Sequence, residues 1–271
     1  MVYDEPAMAL PTEFTGKWAL VTGASSGIGV ALARELAARG ANLILTARRL
    51  ERLQALAEEL SAKGVNVRVV PADLFDPAAP EQLHAATVGA GLEVDILINN
   101  AGLGQYGAFH QSPVEQEMQQ IRVNCEAAVR LARLFVPHMV ERRRGWVLML
   151  ASTASFQPLP YFSTYAASKV FDRFFAEGLA AEVGPYGVKV TALCPGPTDS
   201  EFFDVARAGI FKMRGVQTAE LVAKKGIDAL ARGQRTLLPS WDGKLLAWLV
   251  RFVPTRLITS QVERIARPKQ G

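Results

Sequence analysis

A tyrosine, a lysine and a serine are spaced in this sequence so that they can exchange a proton with a bound molecule. Tyr165 and Lys169 lie four residues apart in a segment with helical periodicity, so their side chains share one helix face. Ser152 follows an apolar segment of strand length. An ammonium close to a phenol lowers the phenol's pKa from about 10, which predicts a tyrosine that exchanges protons nearer to neutral pH. The alternative is an incidental surface tyrosine and lysine with a serine at a strand end.

A glycine-rich turn earlier in the chain predicts a nucleotide site. The segment Thr22–Gly29 lies between a strand-like segment and an amphipathic helix, and its spacing is G-x-x-x-G-x-G. Glycine lets backbone N–H groups and a helix N-terminus approach a pyrophosphate. A plain strand–helix turn is the alternative, and a nucleoside-triphosphatase loop is disfavoured because no Lys-Ser/Thr pair follows. The residues predicted to contact a cofactor here are Gly23, Ser25, Ser26, Gly27, Ile28 and Gly29.

The same turn also matches the G-x-S-x-G nucleophile elbow of serine hydrolases, with Ser25 as the nucleophile. A hydrolase needs an acid and a histidine downstream. His84 and His138 fall within helical segments, and His110 lies in a loop without an evident carboxylate partner. The hydrolase is therefore a remote alternative.

The end of the second strand-like segment bears on cofactor choice. An acid there would bind the adenosine ribose hydroxyls and repel a 2′-phosphate, whereas an arginine would pair with that phosphate. Arg48 occupies the position, and no acid does. NADP(H) is therefore favoured over NAD(H), the alternative being that Arg48 and Arg49 merely end a strand and begin a solvated helix.

Seven apolar segments of strand length alternate with amphipathic segments of helical length. The predicted strands are 18–21, 42–46, 65–70, 94–98, 145–150, 188–193 and 236–238, and the predicted helices include 27–39, 49–63, 113–142, 164–183 and 218–231. Ser112-Pro113-Val114-Glu115 predicts a capping box at the start of one helix. The alternation predicts a Rossmann-type α/β fold, a doubly wound parallel sheet of about seven strands with helices on both faces. Ligands of such sheets bind beyond the carboxyl ends of the strands.

Composition excludes several classes of protein. The chain has 271 residues, of which 49% are apolar and 21% charged, which is typical of a globular protein and not of a disordered one. The formal net charge of +4 is matched by residues 241–271 alone, so the rest of the chain is neutral and nucleic-acid binding is not expected. Cys125 and Cys194 are isolated and the histidines are scattered, so neither a disulfide framework nor a metal site is predicted.

We predict an N-terminal arm over residues 1–15, a single domain over 16–240 with a substrate lid at about 199–216, and a basic amphipathic extension over 241–271. The first sixteen residues do not resemble a signal peptide, and no apolar run approaches the roughly 20 residues of a spanning helix, so a cytoplasmic location is predicted. The extension is expected to pack on its own domain or on another subunit. Closure of the substrate pocket and peripheral membrane contact are the alternatives, the membrane contact being possible but not favoured.

Taken together, these motifs resemble the classical short-chain dehydrogenase/reductase family over about residues 16–239. The motifs that carry the resemblance are Thr22–Gly29, Asp73-Leu74, Asn99-Asn100-Ala101-Gly102, Asn124, Ser152, Tyr165-x-x-x-Lys169 and Pro195-Gly196-Pro197-Thr198. By resemblance, Tyr165 acts as general acid in reduction and general base in oxidation. Ser152 binds the substrate oxygen, Lys169 lowers the pKa of Tyr165, and Asn124 holds a water that relays protons toward Lys169.

The resemblance also implies cofactor contacts. Asp73 and Leu74 are expected at the adenine, and Asn100, Ala101 and Gly102 at the floor of the site. Pro195, Gly196 and Thr198 are expected at the nicotinamide carboxamide and the phosphates, and Tyr165 and Lys169 at the nicotinamide ribose. Family members usually form homodimers or homotetramers, so self-association is expected.

The loops expected around the nicotinamide are rich in aromatic residues. These are Tyr106, Phe109, Phe156, Tyr161, Phe162, Phe202, Phe203 and Phe211. They predict an apolar pocket for a ketone, an aldehyde or a secondary alcohol of the steroid, 3-oxoacyl or aromatic ketone type, unless the rings only anchor the loops. The function predicted is therefore an NADP(H)-dependent oxidoreductase. A non-catalytic nucleotide-binding or regulatory protein with the same fold is the alternative.

Overall fold

The computed structural model describes residues 12–209 and 216–268. Seven parallel strands form one sheet in the order β3-β2-β1-β4-β5-β6-β7. Their bounds are β1 Trp18–Thr22, β2 Asn42–Thr46, β3 Val67–Val69, β4 Val94–Asn99, β5 Gly145–Leu150, β6 Val188–Leu193 and β7 Thr236–Leu237. The predicted doubly wound parallel sheet is confirmed.

The longer helices cross between strands on both faces of the sheet. They are α1 Gly27–Ala38, α2 Leu50–Ser61, α3 Ala79–Thr87, α4 Val114–Ile121, α5 Ala127–Glu141, α6 Ser163–Val183 and α8 Ala219–Arg232. A short helix, α7 Phe202–Val205, follows β6, and α9 Trp241–Leu249 and α10 Thr255–Ala266 follow β7.

The predicted helix over 113–142 differs in detail from the structure. A π-helical segment, Arg122–Glu126, separates α4 from α5. The predicted capping box is wrong, because Pro113 is the N-cap residue and the Ser112 hydroxyl is buried without a hydrogen-bond partner among the described residues. Helix α3, which the sequence analysis indicated only by placing His84 in a helical segment, buries Leu83 and Thr87.

Each face of the sheet has its own hydrophobic core. Successive residues of a strand point to opposite faces, so Val21 joins one core and Leu20 the other. Helices α1, α2 and α8 cover the first core, to which they contribute residues such as Leu32, Leu53 and Ile227. Helices α3, α5 and α6 cover the second core. These two layers hold the carboxyl ends of the strands in one rigid row.

Strand β1 has β2 on one side and β4 on the other, which makes it the point where the strand order reverses. The loops that leave β1 and β4 therefore diverge toward opposite faces and leave a crevice between them. Within the described residues, no helix is both long and apolar enough to cross a membrane. The predicted cytoplasmic location is not tested by this finding and stays a prediction.

Both ends of the described chain pack on the sheet layers. A 3-10 helix, Thr12–Phe14, precedes β1, and Phe14 is fully buried with its ring edge against Trp146 of β5, the ring centroids 5.4 Å apart. Residues 1–11 of the predicted arm lie outside the described part. At the other end, Ala247 of α9 and Ala266 of α10 are buried, and the Tyr106 hydroxyl donates a hydrogen bond to the Ala266 carbonyl.

We expect Phe14→Ala to lower the free energy of unfolding by about 3–5 kcal/mol, because it removes a buried ring and leaves a cavity beside Trp146. Urea unfolding followed by circular dichroism measures the change. The matched control is Phe109→Ala, since that ring is 66% exposed and its loss is expected to change stability by less than about 0.5 kcal/mol. Equal effects of the two substitutions would contradict a core role for Phe14.

Candidate active site

A cavity of about 540 Å³ lies at the carboxyl ends of the strands. The loops after strands β1 to β6 form its walls together with residues of α6 and α9. Every residue predicted to contact a cofactor lines the cavity, including Tyr165 and Lys169. Ser152, which is predicted to bind the substrate oxygen, lines it too. These residues are Gly23, Ser25, Ser26, Gly27, Ile28, Gly29, Arg48, Asp73, Leu74, Asn100, Ala101, Gly102, Ser152, Tyr165, Lys169, Pro195, Gly196 and Thr198. Of the predicted site residues, Asn124 alone is not part of the wall.

The glycine turn at the start of α1 requires residues without side chains. A Cβ at Gly29 would lie 2.2 Å from the Gly23 carbonyl oxygen, and one at Gly27, where φ is +52°, would lie 2.8 Å from Cβ of Ser200. Ser26 is the N-cap residue but makes no side-chain hydrogen bond to the helix. The first N–H groups of α1 lack intrahelical acceptors, so this helix end can bind an anionic group.

A hydrogen-bond network joins the turn after β1 to the loop after β4. The Thr22 hydroxyl donates to the Ile98 carbonyl at 3.0 Å and accepts from the N–H groups of Asn100 and Ala101, each at 2.9 Å. The Asn100 amide group donates to the Thr22 carbonyl at 2.8 Å. Asn100 therefore holds the cavity floor in place through its hydrogen bonds with Thr22. Its side-chain amide group already donates to a backbone carbonyl.

Three arginines flank the end of the cavity beside β2. Arg48 lines the cavity, is exposed, and has no hydrogen bond or ion pair with any residue that the structure describes. Arg49 donates to the Ser25 hydroxyl at 3.2 Å and to a carboxylate oxygen of Glu201 at 2.8 Å. Arg52 donates to the other Glu201 oxygen at 2.7 Å. Arg48 is thus the arginine here that can bind an anion without breaking an existing ion pair.

Glu201 belongs to the predicted lid, and its two ion pairs connect that segment to α2. The sequence reasoning did not identify this contact, because about 150 residues separate the partners and no local pattern marks them. Residues 210–215 of the lid, including Phe211, lie outside the described part.

Tyr165 and Lys169 are buried on one face of α6 and point toward the end of β5. The Lys169 ammonium donates to the Leu150 carbonyl at 2.7 Å and to Oδ2 of Asp172 at 2.9 Å, and lies 5.9 Å from the Tyr165 ring centroid. Ser152, two residues after Leu150, lines the same cavity and acts to lower the pKa of the Tyr165 phenol. The predicted convergence of Ser152, Tyr165 and Lys169 is therefore present in the structure.

Lys169 lowers the pKa of Tyr165 as expected, but the net shift of that pKa is upward. Burial raises the pKa of this phenol, and the opposing effects of Lys169 and Ser152 do not cancel that rise. Burial acts to lower the pKa of Lys169, but Asp172 together with Tyr165 and Cys125 outweighs burial, and the pKa is raised. Both groups are consequently protonated at neutral pH, with Lys169 held as a cation by its carboxylate partner.

Asp172 is a residue of the site that the sequence reasoning missed. Its carboxylate is buried beside Lys169, and its Oδ1 has no hydrogen-bond partner among the described residues. Burial raises the pKa of Asp172 despite the nearby cation. A signal existed in the sequence, since positions 165, 169 and 172 fall on one helix face.

Asn124 lies in the π-helical segment behind the cavity wall. Its Oδ1 accepts from the Leu103 N–H at 2.9 Å, while its amide group donates to the Leu103 carbonyl and the Ser168 hydroxyl, each at 2.9 Å. The side chain thus holds the loop after β4 against α6. A Cβ built at Gly102 would lie 3.4 Å from both Asn124 Oδ1 and Lys169 Nζ, so Asn124 is near Lys169 without contacting the cavity.

The predicted aromatic residues divide into two groups. Phe162, Phe202 and Phe203 line the cavity, and the Phe162 ring stacks on Tyr165 with centroids 4.3 Å apart. The others lie elsewhere: the Tyr161 hydroxyl donates to Glu263 of α10, Tyr106 contacts α10 as described above, Phe156 packs under Arg173, and Phe109 is exposed. The interpretation as a pocket lining therefore fits Phe162, Phe202 and Phe203. The interpretation as loop anchors fits Tyr106, Phe156 and Tyr161.

The hydrolase interpretation has no geometric support in the described residues. The Ser25 hydroxyl accepts a hydrogen bond from Arg49, and no histidine lines the cavity. His84 and His138 contact each other through their Nε2 atoms, 3.3 Å apart, between α3 and α5. Burial lowers the pKa of His84.

Among curated proteins, a reductase and a dehydrogenase are similar to this chain. A very-long-chain 3-oxoacyl-CoA reductase of Podospora anserina is 32% identical over 245 residues, which cover 87% of this chain and 71% of the fungal protein. The 17-beta-hydroxysteroid dehydrogenase type 3 of Mus musculus is 37% identical over 193 residues, which cover 69% of this chain and 63% of the mouse protein.

Solved structures share the fold over nearly the whole chain. A short-chain dehydrogenase from Sphingobium yanoikuyae in complex with NADPH has a TM-score of 0.79 at 30% identity, covering 94% of this chain and 97% of that one. A short-chain dehydrogenase/reductase from Burkholderia phymatum in complex with NAD has a TM-score of 0.81 at 25% identity, covering 96% and 99%. The protein family described as short chain dehydrogenase matches residues 17–210 of this chain. Sequence, fold and site geometry thus agree that this chain belongs to the classical short-chain dehydrogenase/reductase family.

Proposed function

We propose that this protein is an NADP(H)-dependent oxidoreductase that interconverts an apolar ketone or aldehyde and the corresponding alcohol. The observation that carries the proposal is the meeting of Ser152, Tyr165 and Lys169 in the same cavity as the glycine turn. A proton donor, a cation and a nucleotide-binding turn in one cavity are the parts that carbonyl reduction requires.

The cavity residues fit a nicotinamide dinucleotide. Because Gly27 and Gly29 have no Cβ, the backbone at these positions can approach a bound cofactor closely. The N–H groups at the start of α1, which lack intrahelical acceptors, suit the pyrophosphate. Asp73 and Leu74 would hold the adenine, and Pro195 to Thr198 the nicotinamide end. When bound, the cofactor supplies or accepts the hydride; the protein supplies binding, orientation and the proton.

In the proposed reduction, Ser152 and Tyr165 hydrogen-bond the carbonyl oxygen and Tyr165 transfers its phenolic proton to that oxygen. Because burial raises the pKa of Tyr165, the phenol retains its proton at neutral pH and is ready to act as a general acid. The charge of Lys169 then stabilises the phenolate that remains. This protonation state suits the general-acid role that reduction requires.

An apolar substrate fits the part of the cavity next to Tyr165. Phe162, Phe202, Phe203, Leu159 and Leu246 line that part. The two curated relatives are named for a very-long-chain 3-oxoacyl-CoA and for a 17-beta-hydroxysteroid, and both names support a large apolar substrate. The 3-oxoacyl and steroid classes are therefore the first to assay, followed by aromatic ketones.

Self-association as a homodimer or homotetramer is part of the proposal. Helices α4 and α6, which contact each other, expose Val114, Met118, Phe171 and Phe174. Apolar residues exposed on neighbouring helices are typical of a subunit interface. Sedimentation velocity of the wild-type protein measures the assembly size.

We expect Tyr165→Phe to lower kcat for carbonyl-dependent NADPH oxidation by about 10²–10⁴-fold, because it removes the proton donor. Absorbance at 340 nm with a panel of apolar ketones measures the rate. Cofactor fluorescence is expected to show unchanged NADPH binding. Tyr106→Phe is the control, since its hydroxyl bonds a backbone carbonyl outside the cavity wall. Equal turnover in Tyr165→Phe and wild type would remove Tyr165 from the mechanism and favour a non-catalytic nucleotide-binding protein.

The preference for NADP(H) rests on Arg48, since related structures contain either NADPH or NAD. We expect Arg48→Ala to weaken NADPH binding by tenfold or more while NADH binding changes little, because a charge-assisted contact to the 2′-phosphate is lost. Fluorescence titration with both cofactors measures this. Arg235→Ala, at the opposite end of the sheet, is the control. Tight NADH binding with negligible NADPH binding in the wild type would overturn the preference.

We expect Asp172→Asn to move the alkaline limb of the kcat profile for reduction to lower pH. Asp172 raises the pKa of both Tyr165 and Lys169, so without its charge both groups lose their protons at lower pH, and the reaction needs them protonated. Cys125 also faces this pair, but burial raises its pKa to about 12. Glu182→Gln, exposed on the same helix, is the control. An unchanged limb in a folded Asp172→Asn protein would exclude this role.

A further inference from the structure

Helix α9 and the turn after it carry a stripe of exposed apolar side chains, which we call the α9 stripe. It consists of Trp241, Leu245, Trp248, Leu249 and Phe252. These positions follow the spacing i, i+4, i+7, i+8 and i+11, so they lie on one helix face. Trp241 is 75% exposed, Trp248 57% and Phe252 69%, and the Trp248 and Phe252 rings contact each other with centroids 4.9 Å apart. The opposite side of the helix is packed, since Gly243 and Ala247 are buried.

Such a stripe is costly for a protein that meets only water. Two indole rings and three further apolar side chains on one helix face exceed the scattered apolar exposure of ordinary surfaces. Leu257 and Ile265 of α10 are also more than half exposed. Packing on the chain's own domain, which the sequence analysis favoured, therefore explains why one side of α9 is buried. It does not explain the apolar side chains on the exposed side of this helix.

Basic side chains flank the α9 stripe. Lys244, Arg251 and Arg256 are exposed, and none of their side chains has a hydrogen bond or an ion pair with another residue in the parts of the chain described. The nearby acidic residues are fewer: Glu263 is paired with Arg267, and Asp242 lies at the first turn of α9. A partner that covers the stripe therefore meets an apolar strip with free positive charges beside it.

The charges favour a lipid surface over a second copy of the chain. In a twofold dimer built on this face, Lys244, Arg251 and Arg256 would approach the same residues of the other copy, and like charges repel. An anionic bilayer offers the complementary arrangement, with negative headgroups above an apolar interior. Tryptophan is also suited to the boundary between headgroups and acyl chains.

Helix α9, which carries the stripe, also contributes to the cavity wall. Asp242, Gly243 and Leu246 line the cavity from the side of the helix opposite the stripe. A bilayer that covers the stripe would thus contact the same helix that lines the cavity. The link to an apolar substrate rests on the proposed function, whereas the docking surface does not.

We propose that the α9 stripe docks on the surface of an anionic lipid bilayer. In this arrangement α9 lies in the plane of the interface, with its indole and phenyl rings among the acyl chains and Lys244, Arg251 and Arg256 on the headgroups.

The first test is sedimentation of the whole protein with vesicles. Vesicles that contain phosphatidylglycerol and phosphatidylcholine are expected to bind the protein at least tenfold more tightly than vesicles of phosphatidylcholine alone, and added salt is expected to reduce that difference. Replacing Lys244, Arg251 and Arg256 by Gln is expected to weaken binding by about fivefold per residue. The matched control replaces the exposed Arg68, Arg232 and Arg235 by Gln and is expected to have little effect.

A second measurement reports on the wild-type protein itself. Of its four tryptophans, Trp146 is buried and Trp18 partly buried, whereas Trp241 and Trp248 belong to the α9 stripe. Vesicles with brominated acyl chains are expected to quench part of the tryptophan fluorescence, and Trp248→Phe with Trp241→Phe is expected to abolish that quenching while vesicle binding persists.

Binding that is absent, or that is equal for anionic and neutral vesicles, would overturn the proposal. A second result would also overturn it: the Trp248→Ser, Phe252→Ser double variant sediments as a smaller assembly than the wild type, and neither protein binds vesicles. A second copy of the chain would then be what covers the α9 stripe. NADPH binding and ketone turnover in vesicle-free buffer are measured in parallel, so a failure of the proposed oxidoreductase function is seen separately.

Discussion

The buried ammonium group of Lys169 is the constraint around which the site is arranged. A cation removed from water is stable only when hydrogen bonds and an opposite charge replace its hydration. Here the Leu150 carbonyl ties Lys169 to the end of β5, and the Asp172 carboxylate balances its charge within α6. Because Tyr165 lies one turn earlier on the same helix face, the same contacts hold its phenol next to Ser152. The geometry of proton transfer thus follows from the need to satisfy one buried charge.

The rest of the cavity is held mainly by backbone contacts. Thr22 and Asn100 join the loops after β1 and β4, and Asn124 holds the next loop segment against α6. These contacts leave the glycine turn and the α1 N–H groups open toward the cavity. The ion pairs of Arg49 and Arg52 with Glu201 join the lid to α2, and as exposed pairs they contribute little stability each. Buried contacts also join the lid to the rest of the domain, since Phe202 packs on Tyr165 of α6 and the Tyr106 N–H donates to the Ala206 carbonyl.

The C-terminal helices combine two roles that their sequence alone does not separate. One side of α9 lines the cavity through Gly243 and Leu246, and α10 accepts hydrogen bonds from the hydroxyls of Tyr106 and Tyr161. The other side of α9 exposes its largest apolar side chains. Helical periodicity assigned apolar residues to nearly all sides of this segment, so only the packed neighbours show which of them are buried.

The seven strands, the parallel order and the cavity-lining residues followed from the sequence because each has a local or spacing signal. Apolar runs mark buried strands, glycines mark the turn before α1, and the four-residue spacing of Tyr165 and Lys169 marks a shared helix face. The π-helical segment and the Ser112 position were not anticipated, because tertiary packing overrides weak local preferences there.

What the sequence by itself determined is which chemical groups are present and on which elements they lie. Only the tertiary structure decided how those groups are charged and paired: that Glu201 binds Arg49 and Arg52, that Asp172 balances Lys169, and that the Tyr165 pKa rises instead of falling. The reason is physical. Desolvation and charge pairing depend on distances and burial among residues far apart in the chain, and such quantities exist only once the chain has folded.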